Sequence, residues 1–152
     1  MEKTAVSIQN ATWHDLGQLR QLEQECFGED AWPLIDLIGV LTMPGVIRFK
    51  AVADDQMVGF ISGDPRSGDG IGWITTLGVR PTYRRQGIAQ SLLVICEDQM
   101  GLRRVRLCVR RDNDPAITLY EQNGYRKVDI WSNYYGPGRD ALVLEKERLT
   151  FK

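Results

Sequence analysis

The residues of this 152-residue chain whose types and spacing could do chemistry are the run Arg84-Arg85-Gln86-Gly87-Ile88-Ala89-Gln90, and beyond it Cys108 and Tyr120. The run sets two guanidinium groups and a glycine between an apolar, strand-like segment (74–79) and an apolar pattern of helical period. A helix that begins there presents backbone N–H groups without intrahelical acceptors and a partial positive charge. Together these bind phosphate without a particular side chain. Gly87 would let backbone and ligand approach closely, and Ala89 keeps the next position small. The run lacks the Gly-Lys-Ser/Thr ending of a P-loop and the spaced glycines of a dinucleotide fingerprint. On residues alone two readings stay open: a cradle for a small polyanion, or a tight turn with solvated arginines. Cys108 alternates in phase with Arg106 and Arg110, whose charge could lower a thiol pKa from its usual value of about 8.5. Equally, it could be a small buried residue. Tyr120 is a phenol with a reference pKa of about 10, or an aromatic packing on an amphipathic helix.

These groups need elements to hold them. A short strand is expected over 6–11, then a capping-box start at Thr12-Trp13-His14-Asp15 and a helix to about Phe27, with Leu16, Leu19, Leu22 and Cys26 on one face. The loop 28–33 leads to a second helix ending near Met43-Pro44-Gly45. Strands follow over 46–53 and 56–63, joined at Asp54-Asp55 as a hairpin, then a turn cluster over 64–70 and a fourth strand over 72–79. The helix after Gly87 keeps apolar spacing at Ile88, Leu92, Ile95, Cys96 and Met100, with Gly101 as its cap. The segment 103–110 alternates as a strand, with Val105, Leu107 and Val109 on one face and Arg104, Arg106, Cys108 and Arg110 on the other. Pro115 opens a short helix that stops at Asn123-Gly124. Two last strands, 125–131 and 141–146, flank the loop 132–138. A strand–helix–strand crossover implies a parallel pair and the hairpins imply antiparallel neighbours, so the fold class is α/β with a mixed sheet and helices on both faces.

The bulk numbers limit what this scaffold could be. One domain over 1–152 accommodates the length, and 43% hydrophobic with 26% charged residues is ordinary for a globular protein. No apolar run reaches membrane-spanning length and the first residues have no apolar signal core, so a cytoplasmic protein with no membrane partner is expected. Net charge is −1, which gives no overall field for nucleic acid. Locally, eight arginines lie between positions 80 and 111 against Glu97 and Asp98 alone. Cysteines at 26, 96 and 108 have neither the spacing of a zinc site nor the density of a disulfide framework, so free thiols and no metal are expected.

Arg84-x-x-Gly87-x-Ala89, directly after Leu77-Gly78-Val79-Arg80-Pro81, resembles the acetyl-CoA signature of the GNAT acetyltransferases. The resemblance continues through Leu107-Cys108-Val109-Arg110-Arg111-Asp112-Asn113 and Ala116-Ile117-x-Leu119-Tyr120-Glu121-x-x-Gly124-Tyr125. The ending Asn133-Tyr134-Tyr135 with Arg139-Asp140-Ala141 is similar to the branch that acetylates protein N-termini, the ribosomal-protein-alanine acetyltransferases among them. It covers about residues 72–147; the first 70 match in order of elements. The resemblance implies a six- to seven-stranded mixed sheet with about four helices and a splayed parallel strand pair. It implies acetyl-CoA as cofactor, with the backbone of Leu77, Gly78 and Val79 against the pantetheine arm and Arg85, Gln86, Gly87, Ile88, Ala89 and Gln90 around the pyrophosphate. Arg84 and Arg85 would face the 3′-phosphate or solvent, and Asn113 would touch the arm or cap a helix.

The implied reaction is direct transfer: a neutral amine attacks the thioester and thiolate leaves. Tyr120 takes the family's acid position. Cys108 stands where the N-terminal branch carries a glutamate and related branches a histidine, so Glu25, Glu29 and Asp30 are alternative proton acceptors through water. His14, at a helix start, reads as a surface or capping residue. Trp32 and Glu29 from one loop and Tyr134 and Tyr135 from another would line the acceptor groove. An α-amine, with a pKa of about 7.7–8.0, is neutral in roughly one molecule in ten at pH 7, a lysine in about one in 2,500. A site with a weak base therefore suits a protein or peptide N-terminus. A small amine, or a non-catalytic acyl-CoA-binding module, is the alternative, in a monomer or homodimer.

Overall fold

The computed structural model describes residues 5–65 and 68–148. The opening four residues and positions 66–67 of the expected turn cluster lie outside them. The elements run β1 (Ser7–Asn10), α1 (Leu16–Phe27), α2 (Leu34–Thr42), β2 (Ile47–Ala53), β3 (Gln56–Asp64), β4 (Ile71–Val79), α3 (Ile88–Met100), β5 (Arg104–Arg110), α4 (Asp114–Gln122), β6 (Arg126–Trp131) and β7 (Ala141–Glu147). All seven strands form one sheet in the order β1-β2-β3-β4-β5-β7-β6. Only β4 and β5 run parallel, as the α3 crossover requires; the other neighbours are antiparallel.

Local chemistry sets the boundaries. Thr12 N–H donates to Asp15 Oδ2 at 2.8 Å, the reciprocal half of the expected capping box, although the first turn (13–15) is 3₁₀ before α1 proper begins. Asp54 and Asp55 both take left-handed φ angles (50° and 61°), the conformation of a two-residue hairpin turn whose twist matches its strands. Gly101 ends α3 in the left-handed region as expected.

Two cores sandwich the sheet. On one face, Leu19 and Leu22 of α1 and Leu37, Val40 and Leu41 of α2 close over Met57 and Phe60 of β3. On the other, Ile88, Leu92, Leu93, Cys96 and Met100 of α3 and Tyr120 of α4 pack on Val58, Ile61, Ile74, Val105, Leu107 and Val109. The feature that positions the site is a split in the middle of the sheet. β4 pairs with β5 only over Ile71–Trp73, against Arg104–Arg106. Beyond Trp73 the two strands part.

Candidate active site

The split opens a cleft of about 840 Å³ whose far end is the start of α3. Gly87 is the N-cap of α3 at φ 79°, left-handed backbone, with no atom within 4 Å of the place a Cβ would take. The first helical N–H to bond back is that of Ser91, to Gly87 O at 3.0 Å, so the amides of 88–90 stand at the open end of the helix. Unpartnered amides beside a position with no side chain fit a diphosphate. Leu77, Gly78, Val79, Arg84, Arg85, Gly87, Ile88, Ala89, Gln90 and Asn113 all line the cleft, and of the expected donor-side residues only Gln86 does not. Asn113 also caps α4, its Oδ1 accepting from Ala116 N–H at 3.3 Å, so the cap expected from the sequence is present at a position that lines the cleft.

Along the cleft runs the unpaired edge of β4. Arg80 N–H bonds Val58 O at 2.8 Å, and by the alternation of an antiparallel ladder Gly78 faces β3 in the same way. Leu77 and Val79 consequently turn their backbone groups into the gap. Val79 O is held there by Arg84 Nε at 3.1 Å and by the Cys26 thiol at 3.4 Å. Arg84 is exposed, in keeping with the solvent-facing alternative, while its Nε reaches back to the strand edge. The aliphatic length between Arg84 and the strand end lets its guanidinium fold back.

Tyr120 lines the cleft, only 8% exposed, and burial pushes its phenol up to about 12. Cys108 lines the same space, and burial pushes its thiol up to about 11. This agrees with the reading of Cys108 as a small buried residue; the lowering that flanking arginines could have given is absent because both are already ion-paired. Arg106 donates to Glu145 at 3.1 Å, while Arg110 is bound to Asp30 and, at 3.1 Å, to Asp112. At neutral pH Cys108 is an uncharged thiol with no capacity to accept an amine proton.

Of the residues expected at the acceptor groove, Trp32 and Tyr135 line the cleft, joined by Asp30; Glu29 and Tyr134 stand outside it. Glu29 instead works at its rim, where Arg139 Nη1 donates to Glu29 Oε1 at 3.2 Å and to Asp30 Oδ1 at 3.0 Å. These bonds clasp the loop after α1 to the loop before β7. Tyr134 is 55% exposed and packs between Trp131 and Tyr135, at centroid distances of 5.5 and 5.0 Å. Glu25 faces Arg80 at 3.7 Å, and His14 is exposed against Trp13.

The residue missed in the sequence is Glu23. It is 2% exposed beneath the acceptor wall, with Oε1 accepting from Trp32 N–H at 3.3 Å and Oε2 from the Thr76 hydroxyl at 3.2 Å. Burial raises its carboxyl above the ordinary range, against the lowering effect of those two bonds. A signal existed: Leu19, Leu22, Glu23 and Cys26 share one helical stripe, and a carboxylate at such a position must be satisfied from elsewhere in the fold.

Comparison with known proteins adds to this geometry. The profile of the acetyltransferase (GNAT) family matches residues 12–125. The N-alpha-acetyltransferase RimI of Mycobacterium tuberculosis is 31% identical over 147 residues, covering 93% of this chain and 92% of its own. Among solved structures, the ribosomal-protein-S18-alanine N-acetyltransferase of Escherichia coli superposes with a TM-score of 0.84 at 23% identity, over 96% of both chains. Arabidopsis thaliana NAA60 in complex with acetyl-CoA does so with a TM-score of 0.79 at 24% identity, over 97% of this chain and 98% of its own.

Proposed function

The chain belongs to the acetyltransferase (GNAT) family, and from that premise we propose that it moves the acetyl group of acetyl-CoA directly onto the α-amine of a protein or peptide N-terminus. The observation that carries this reading is the convergence, in one cleft, of an amide-lined helix start, an unpaired strand edge and a buried neutral phenol.

Acetyl-CoA supplies a thioester carbonyl that a neutral amine can attack. The amides of Gly87 and 88–90 would hold its diphosphate, and the backbone of Leu77 and the N–H of Val79, whose carbonyl is already taken by Arg84 and Cys26, would bond the arm. The same gap-facing N–H groups are the donors at hand for a developing oxyanion. Tyr120, with its pKa of about 12, lies about three units above an ordinary thiol, so full proton transfer to a leaving sulfur is uphill by roughly 4–5 kcal/mol. Its role is then to hold its proton and hydrogen-bond the departing sulfur, a service a phenylalanine cannot give. Asp30, Trp32 and Tyr135 shape the acceptor end.

Relatives named as N-alpha-acetyltransferases support an α-amine acceptor, and so does its low pKa in a site whose Cys108 is uncharged. The test measures thiol release from acetyl-CoA with an alanine- or serine-starting peptide, the same peptide N-terminally blocked but bearing an internal lysine, and simple polyamines. Release only with the open α-amine is expected, and Tyr120→Phe should lower kcat by about 100-fold while CoA still raises the melting temperature. Turnover of polyamines alone would replace the acceptor. Failure of CoA to stabilise the fold would remove the donor.

A further inference from the structure

Direct transfer to an α-amine leaves one proton to be removed, because most of the acceptor arrives as ammonium. Cys108 is an uncharged thiol, and three of the carboxylates around the acceptor end are committed to arginines: Glu25 to Arg80, Glu29 to Arg139, and Asp30 to both Arg110 and Arg139. Glu23 differs from all three. Among the described residues it has no ion pair; its two oxygens are held only by a backbone N–H and a hydroxyl. It does not itself reach the cleft, but Thr76 does.

Resting on the α-amine reading, we propose that Thr76 and Glu23 form the proton exit of this enzyme, with the Thr76 hydroxyl touching the acceptor amine and Glu23 receiving the proton behind it. Thr76 Oγ1 already donates its own hydrogen to Glu23 Oε2 at 3.2 Å, so its lone pairs are what it offers to the cleft. Before attack, one N–H bond of the acceptor ammonium breaks and its proton passes to Thr76 Oγ1, leaving a neutral amine whose lone pair attacks the thioester carbonyl; the second proton leaves with the departing sulfur, which ends as the CoA thiol. The hydroxyl's original proton moves to Glu23 Oε2 in the same step. The hydroxyl is restored, the carboxylate becomes a carboxylic acid, and solvent later takes the proton. Burial helps at both ends: it raises the basicity of Glu23 and keeps bulk water from hydrating the carboxylate into a weaker base. Trp32 N–H fixes the other oxygen, which ties the proton exit to the wall against which the acceptor lies. The titratable neighbour that feels this charge is Cys26, one turn on along α1, and Arg84 stands beside that thiol.

Glu23→Gln keeps the shape and both hydrogen bonds, since the amide oxygen accepts from Trp32 N–H and the amide nitrogen donates to a reversed Thr76 hydroxyl, but it cannot take a proton. With the alanine-starting peptide at pH 7, kcat should fall about 100-fold while the KM for acetyl-CoA holds and the melting temperature does not fall. The deficit should narrow to within about 5-fold by pH 9.5, where the α-amine arrives already deprotonated. Thr76→Val should show the same pH-dependent loss, and Thr76→Ser should restore most of the activity. A Glu23→Gln enzyme with wild-type kcat at pH 7, or a deficit of equal size at every pH, overturns the proton exit while leaving the α-amine reading intact. Wild-type enzyme that turns over no N-terminal peptide overturns both.

Discussion

Glu23 and Cys108 exchange the roles that their chemistry would assign them. The thiol stands in the cleft and is kept neutral by burial; the carboxylate is withdrawn behind a hydroxyl and kept basic by burial. Neither state follows from residue type, because both depend on which partners the fold supplies. Cys108 was legible as a departure from the family pattern, and its strand phase was right. Its pKa was not, since the ion pairs that consume Arg106 and Arg110 join positions 39 and 80 residues apart. Glu23 bears a measurable cost. Its folded pKa lies above its unfolded value, so the stability linked to it is present below that unfolded value, 4.5, and is lost as pH rises through the folded one. Glu23→Gln removes the titration. Wild type should therefore lose melting temperature relative to Glu23→Gln as pH is raised from 4.5 toward 8, a scan that calorimetry can follow. A widening in the opposite direction would mean that the buried carboxylate is a net stabiliser when charged.

Among the elements, the short local ones were the readable ones. The Asp54-Asp55 turn, the Thr12–Asp15 cap, the helix between Gly87 and Gly101 and the alternation of β5 all draw on contacts within a few residues, where spacing and side-chain type suffice. The acceptor wall was legible only as two loops. Its clasp, Arg139 across 109 residues to Asp30 and 110 to Glu29, is a tertiary contact with no local signature. The same distance explains why Glu29, expected in the groove, serves at its rim. Arg139 and Glu29 are 34% and 81% exposed in their side chains, which puts the pair in the weak, salt-screened class. Arg139→Ala should thus raise the KM for peptide by about 3- to 5-fold, leave the Kd for CoA unchanged, and abolish most of the rise in peptide KM that added salt causes in wild type. Steady-state kinetics at 50 and 500 mM salt measure this directly. A CoA affinity that follows the clasp would show the two ends of the cleft to be coupled.

At the scale of the molecule, one sheet is covered by α1 and α2 on one face and by α3 and α4 on the other, so the site is where the sheet fails to close. The parallel crossover was readable from element order. The length of the split, everything beyond Trp73, was not, because pairing between strands separated by the α3 crossover is a tertiary contact with no local signature. That split turns two main-chain positions into reporters. The amides of Leu77 and Val79 lie in the middle strand of a seven-stranded sheet yet have no neighbouring strand to shield them. In deuterated buffer they should exchange orders of magnitude faster than the flanking amides of Gly78 and Arg80, as though they belonged to the margin of the protein. Saturating CoA should slow them selectively, giving a measure of cofactor occupancy that needs no acceptor and no turnover.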